Sequence, residues 1–331
     1  MEPLKTAIEP ETVPIPAGPF LMGSPPGEGI PGHETPQHPV ELPVYRIGKY
    51  PVTQRQYAEF IKRGNQQHVP GKKAGWFGLG PPKAKLDHPV VEVSWHAARA
   101  YCDWLSRETG QRYRLPTKAE WEKAARGPEG RLYPWGNTWE AGRCHQGGDD
   151  TASVDAYPAG ASVYGCYDML GNVQEWTSTL WGSDPNASDF PYPYNSRDGR
   201  EELEVSLFRV YRIHRGGCYR DEPARLRCSV RGCSPPDSKV PWRGLRVVLE
   251  TRAELEPDST LDSEQRRRQE LAGLQQQWEL LSRKLAAMEE ERILETRAEE
   301  KLRLDYKINQ ARAEREKVAS QLDALEARLR P

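Results

Sequence analysis

Residues 164–176 read YGCYDMLGNVQEW, and they set two carboxylates, Asp168 and Glu175, on either side of a Gly171-Asn172 turn. A hard cation such as Ca²⁺ takes several oxygens at once, and a short acidic loop with a glycine-permitted turn can wrap them around it. Aromatic-rich turns also serve as plain core, and Tyr164, Tyr167, Met169, Leu170 and Trp176 suit that reading equally. Thiols are the second chemistry-bearing set. Six cysteines, at 102, 144, 166, 218, 228 and 233, are too few in a 331-residue chain for a disulfide framework and read as small buried hydrophobes. His33 and His38 bracket Glu34 in a proline-rich stretch, but their spacing matches no standard metal site. The third set lies in 218–243, where Tyr219, Arg220, Asp221, Glu222, Arg225, Arg231, Asp237, Lys239, Trp242 and Arg243 crowd a loop-rich segment. Arginine, tyrosine and tryptophan anchor interfaces more often than other residues, so this segment is the candidate recognition surface.

The elements that must position these groups are legible from caps and periodicity. Residues 13–23 and 40–50 alternate as strands, with Phe20 and Met22 on one face. Thr53 caps a helix carrying Tyr57, Phe60 and Ile61, and Ser94 caps one carrying Ala97, Tyr101, Trp104 and Leu105. Thr117-x-x-Glu120 is a capping box opening a third helix with Trp121, Ala124 and Ala125 inward. Between the first two helices, 64–85 is a Gly/Pro/Lys loop centred on Trp76 and Phe77; it could form a lid or groove wall, but surface decoration is the expectation. From 127 to 252 glycine, proline and aromatics dominate, which suits short strands and ordered loops.

The chain divides into a lead-in (1–11), a globular domain (12–250), a polar linker with Pro257 (251–262) and a helical tail (263–331). From Leu274 to Arg330 there is neither glycine nor proline. Leu271, Leu274, Trp278, Leu281, Leu285 and Met288 keep 3-4 spacing, as do Leu304, Ile308, Ala311, Val318, Leu322, Leu325 and Leu329. Either a stuttered coiled coil or two helices folded together would bury both seams, and the absence of turn residues favours one rod of roughly 85 Å. Such a tail predicts self-association or a partner helix. The formal net charge of −1, the lack of a ~20-residue apolar run and a lead segment without a signal core predict a cytoplasmic protein with neither nucleic-acid nor membrane partners.

The run Y-G-x-Y-D-M-x-G-N-V-x-E-W resembles the signature of the formylglycine-generating enzyme, or sulfatase-modifying factor, family. Further blocks in the same order include Ile15-Pro16-Ala17-Gly18, Met22-Gly23-Ser24, Pro51-Val52-Thr53, His88-Pro89-Val90-Val91 and Tyr113-Arg114-Leu115-Pro116-Thr117. Glu120-Trp121, Tyr133-Pro134-Trp135-Gly136, Arg215-Gly216-Gly217 and Gly244-Leu245-Arg246 complete them. The resemblance covers about residues 12–250 and implies an α+β fold, an irregular variant of the C-type lectin fold. It implies one structural calcium, held by the Asp168 and Glu175 carboxylates and the Gly171 and Val173 carbonyls. In the family's other calcium loop Arg143 replaces an asparagine ligand, which puts that ion in doubt.

Family enzymes are copper-dependent oxidases that convert a cysteine of a sulfatase peptide to formylglycine with oxygen. The resemblance places their C-x-x-x-x-C pair just after R-G-G, where soft thiolates hold Cu(I). Here Asp221 stands in the first place of the pair, and Cys218 falls where serine is usual. Cys228 and Cys233 have the spacing, but Cys228 matches a structural cysteine of a later strand. The iron motif of the sulfoxide-synthase branch is absent as well. The expectation is therefore a non-catalytic module binding a protein or peptide, without copper, oligomerised or docked through its tail. Alternatives are a divergent oxidoreductase using Cys218, Cys228 or Cys233, a variable binding protein of the diversity-generating-retroelement type, and a structural subunit of a defence or signalling assembly.

Overall fold

The computed structural model describes residues 9–25, 27, 33–205, 210–250, scattered positions from 271 to 293, and 298–329. Two compact units result, one spanning the globular domain and one containing the tail.

In the globular unit, β1 (Thr12–Ile15), β2 (Gly18–Met22), β3 (His38–Leu42) and β4 (Tyr45–Gly48) open the chain. Each expected long strand is split. The 13–23 run breaks before Gly18, which takes a left-handed φ of 117°, and the 40–50 run breaks at Pro43, which lacks the amide proton a ladder requires. As a result β1 pairs with β4 while β2 pairs with β3, in different sheets.

All three helices start where their caps predict. α1 (Gln54–Lys62) and α3 (Lys118–Arg126) begin with complete capping boxes at Thr53 and Thr117, and α2 (Trp95–Thr109) begins with the Ser94 hydroxyl accepting the Ala97 amide. Such caps contribute about 1 kcal/mol each. α1 and α2 stack Tyr57, Phe60, Tyr101 and Trp104 into one cluster with Trp95 and Trp176. α3 buries Trp121, Ala124 and Ala125 against Phe20, Met22, Tyr45, Met169 and Cys228.

The first sheet runs β1-β4-β10-β5, with β5 at Tyr113–Arg114 and β10 at Val248–Leu249. The third runs β8-β7-β6-β9, built from β6 (Gln174–Gly182), β7 (Tyr211–Arg215), β8 (Arg231–Ser234) and β9 (Arg243–Leu245). Its parallel β6–β9 pair sets Glu175 beside Gly244 and leaves Arg246 one step further on. The chemistry-bearing loops therefore leave adjacent strand ends.

In the second unit, α4 spans Ala298–Leu329 and buries Leu304, Ile308, Val318 and Leu325, four of the expected seam residues. Of the other seam Leu285 is buried, Leu271 and Met288 are part-buried, and Trp278 is exposed, contrary to expectation; Leu274 and Leu281 lie outside the described residues. Arg292 pairs with Asp305, and Glu289 with Arg312 at 2.6 Å, so the partner number rises as the first falls. That is antiparallel pairing within one chain. It corrects the single-rod expectation: residues 13 and 23 positions apart could not meet along one straight helix, so the chain folds back between them. Among the described residues no helix is long and apolar enough to cross a membrane.

Candidate functional site: a polar cleft braced by the signature loop

Asn172 organises the loop 164–176. It sits in the left-handed region at φ 51°, as does Asp168 at φ 53°, a conformation that asparagine and aspartate tolerate better than other side-chain-bearing residues. Its Nδ2 donates to Asp168 Oδ2 at 2.8 Å and to the Ala152 carbonyl at 3.1 Å, and its Oδ1 accepts the Ala152 amide at 3.0 Å. The Asn172 amide donates to the His145 carbonyl, and its own carbonyl accepts the Tyr219 amide. One residue thus joins three segments. Gly171 is required beside it, because a Cβ there would meet the His145 carbonyl oxygen at 2.3 Å.

The two expected metal carboxylates are committed differently. Glu175 is fully buried and already matched by Arg246, whose Nε and NH2 donate to its two oxygens at 2.9 Å. Trp121 Nε1 donates to the same carboxylate at 2.7 Å. Asp168 receives the Asn172 amide, and among the described residues no lysine or arginine lies within ion-pair distance of it. Burial pushes its carboxyl up to about 7, against the lowering effects of Asn172 and Arg246. Glu175 is therefore the counter-ion of the G-L-R arginine, and Asp168 is the carboxylate of this loop with charge left to neutralise. Arg143, in the second expected calcium loop, pairs with Glu140 at 2.7 Å and donates to the Ala159 carbonyl.

Through Tyr219 and the loop 143–152, the Asn172 network builds one wall of a cleft of about 350 Å³. Tyr219, Arg220 and Trp242 of the recognition segment line it, with the Arg220 guanidinium 4.9 Å over the Trp242 ring. Lys73, Ala74 and Lys85 line it as well, with Asp149, Asp150 and Thr151. Lys85 pairs with Asp150.

The loop 64–85 therefore contributes Lys73, Ala74 and Lys85 to a groove wall, instead of the surface decoration expected, and that wall is firmly built. Buried Glu92 accepts the Ala74 amide at 2.7 Å, and Trp76 Nε1 donates to Gln54 Oε1 at 3.1 Å. A Cβ on Gly71 would strike the Glu92 carboxylate at 2.7 Å. Gly71→Ala is accordingly expected to displace this wall and cost about 1–3 kcal/mol of stability by overpacking. Urea unfolding with amide exchange of residues 71–75 checks both effects.

The remaining expected contact residues do not reach the cleft. Arg231 is held between Trp181 and Tyr192, at 4.9 and 4.8 Å from their rings. Arg243 is buried over Trp176 and donates to Gln174 and His214. Both are corrected from exposed contacts to packing groups, because a guanidinium is flat enough to stack. Asp221 Oδ2 accepts the Cys218 amide at 2.8 Å and closes a turn. Glu222, Arg225 and Lys239 are exposed and do not line the cleft. Gln54, Lys73, Lys85, Asp149 and Asp150 were missed; the lysine density of 72–85 signalled the two lysines, and nothing local signalled the other three.

Cys218 and Cys233 both lie near Arg243, and Cys228 is set apart from them in the core. Cys228 lies in the core with Trp121 and Leu226, whereas Cys233 on β8 points its sulfur toward the Pro185 carbonyl at 3.6 Å. Burial pushes Cys218 and Cys228 up to about 12 and Cys233 to about 11, so all three are thiols at neutral pH. Among the described residues no three His, Cys, Asp or Glu side chains form a metal-holding group. Glu34 is hydrogen-bonded to Ser24 and Ser229 and lies 3.4 Å from the Arg227 guanidinium.

A mixed α/β scaffold with short, separate sheets, whose signature loop orders the walls of a surface cleft, is the class these features define. The chain belongs to the sulfatase-modifying factor enzyme 1-like domain family, which matches residues 1–251. It is similar to the formylglycine-generating enzyme of Bos taurus, 32% identical over 72% of this chain and 74% of that protein. The inactive C-alpha-formylglycine-generating enzyme 2 of Mus musculus is 33% identical over 53% of this chain and 70% of that protein. Among solved structures, PvdO from Pseudomonas aeruginosa superposes with a TM-score of 0.60 at 27% identity, covering 73% of this chain and 95% of that one.

Proposed function

We propose that this domain is a non-catalytic module that binds a protein or peptide segment in the cleft between Lys73, Lys85 and Trp242. The observation that carries the reading is the pairing of Arg220 with Trp242 at the cleft, ordered by backbone bonds from Tyr219 to Asn172 and from Gln174 to Trp242. Asp221, in the first place of the enzymes' cysteine pair, is meanwhile spent on a turn. An aromatic and arginine anchor rimmed by charges of both signs suits a peptide with polar flanks. Calcium belongs to the same reading as a brace at Asp168 with the Gly171 and Val173 carbonyls, while Glu175 stays on Arg246. Six free cysteines fit a reducing compartment and support the cytoplasmic reading.

The test uses the full-length protein panned against a displayed random peptide library, with selected peptides measured by fluorescence polarisation. Replacing Arg220 and Trp242 together by alanine is expected to weaken binding roughly 30-fold, the effect of losing an anchor of about 2 kcal/mol. Selected peptides indifferent to that change would remove the cleft from the reading. In parallel, Cu(I) is titrated against a colorimetric chelator. Stoichiometric uptake lost in Cys218→Ser or Cys228→Ser would replace the binding module with a divergent oxidase.

A further inference from the structure

We propose that the loop 71–85 docks the protein on an anionic lipid surface, inserting Phe77 and Leu79 between headgroups while its lysines contact their charges. This goes beyond the cleft reading and stands without it. Phe77 is 95% exposed, more than any other large hydrophobic side chain among the described residues, and Leu79 beside it is 42% exposed. Isolated exposed apolar residues are ordinary on a protein surface. Here, however, the exposure is held in place. Phe77 and Gly80 exchange both backbone hydrogen bonds, at 3.0 and 3.2 Å, closing a two-residue turn that points the pair outward. Below it, Gly75 takes a left-handed φ of 76° beneath the Pro82 ring, Trp76 is tied to Gln54, and Ala74 is tied to Glu92. The backbone that carries the phenyl ring is thereby fixed on both sides of the turn.

Charge selects the partner. The segment 64–86 contains Lys72, Lys73, Lys83 and Lys85 and no aspartate or glutamate, so it carries a formal +4 in a chain whose total is −1. The near-neutral total that argues against a membrane partner conceals this local excess. Lys85 is held by Asp150, but Lys72, Lys73 and Lys83 are exposed and flank the apolar tip along the chain. Basic side chains flanking a small apolar protrusion match the layering of a bilayer surface, anionic headgroups over acyl chains. A protein socket would need that layering built into one particular partner.

The experiment co-sediments the full-length protein with sucrose-loaded vesicles of phosphatidylcholine, with and without 30% phosphatidylserine, up to about millimolar lipid at low and physiological salt. Binding is expected with phosphatidylserine only and weakens as salt rises. Phe77→Ala with Leu79→Ser is expected to lower the partition about fivefold or more, and Lys72→Glu with Lys83→Glu about tenfold or more. None of these four side chains lines the cleft, and unchanged melting temperatures separate lost docking from lost fold. In Phe77→Trp, vesicles with brominated acyl chains are expected to quench the new indole. Wild-type protein left in the supernatant at every composition, as a knob seated on another protein would give, overturns the proposal. Sedimentation that ignores the Phe77 and Leu79 changes overturns it as well.

Discussion

Glu122→Ala is expected to cost about 3–5 kcal/mol, enough to lower the melting temperature by roughly 10 °C in a domain of this size. Glu122 on α3 is fully buried. It accepts Arg126 NH1 and the Gly23 amide on one oxygen and Arg215 NH2 on the other, each at 2.7 Å. Burial alone would raise its carboxyl, but Arg215 and Arg126 outweigh burial and hold it below the usual glutamate range. Removing it strands two guanidiniums with no exposed surface. Their carbonyl partners, Gly23 and Gly130 for Arg126 and Cys228 and Ser229 for Arg215, orient them but do not neutralise them. Because the native pKa is depressed, the contribution is complete above the unfolded value near 4.5 and is lost as pH falls through the folded one. The wild-type advantage over Glu122→Gln should therefore shrink on acidification. A double-mutant cycle with Arg215→Met in urea measures the coupling; an interaction under ~1 kcal/mol would mean that other groups solvate these charges.

That network shows where sequence reading stopped. Arg215 was visible as part of an R-G-G block and Glu122 as a helical residue, but nothing local joins positions on α3 and β7. Helix starts were legible because caps are local: Thr53, Ser94 and Thr117 each need only a residue three positions on. Apolar stripes were legible for the same reason. The cleft was legible by half. Tyr219, Arg220 and Trp242 came from a segment rich in anchor residues, whereas Lys73 and Asp149 reach it by tertiary closure through Asn172 and Glu92. Arg231 and Arg243 were misplaced because arginine in a loop-rich segment suggests exposure, while the strands β8 and β9 turn them inward over aromatic rings. The tail failed on topology: lack of glycine and proline speaks for local helix and is silent on whether a chain folds back.

Asp168 should make the protein less stable as pH rises from about 4 to about 7 in calcium-free buffer. Its carboxyl is pushed up to about 7 in the fold, chiefly by burial, against an ordinary value of 3.8. Between those values the native state keeps a proton that the unfolded chain has released, so unfolding gains as pH rises. The span corresponds to about 4 kcal/mol as an upper figure, since each unit is worth about 1.4 kcal/mol. Asp168→Asn removes the titration and retains a residue suited to φ 53°, so it should flatten the slope and match or exceed wild-type stability at pH 7.5. Millimolar calcium separates the two roles of this carboxylate. A cation on Asp168 lowers its pKa, so calcium should raise the wild-type melting temperature most at pH 7.5 and leave Asp168→Asn unmoved. A wild-type melting temperature indifferent to calcium at pH 7.5 would remove the ion from this loop. It would also leave Arg246, through Glu175, as the cation around which the signature folds.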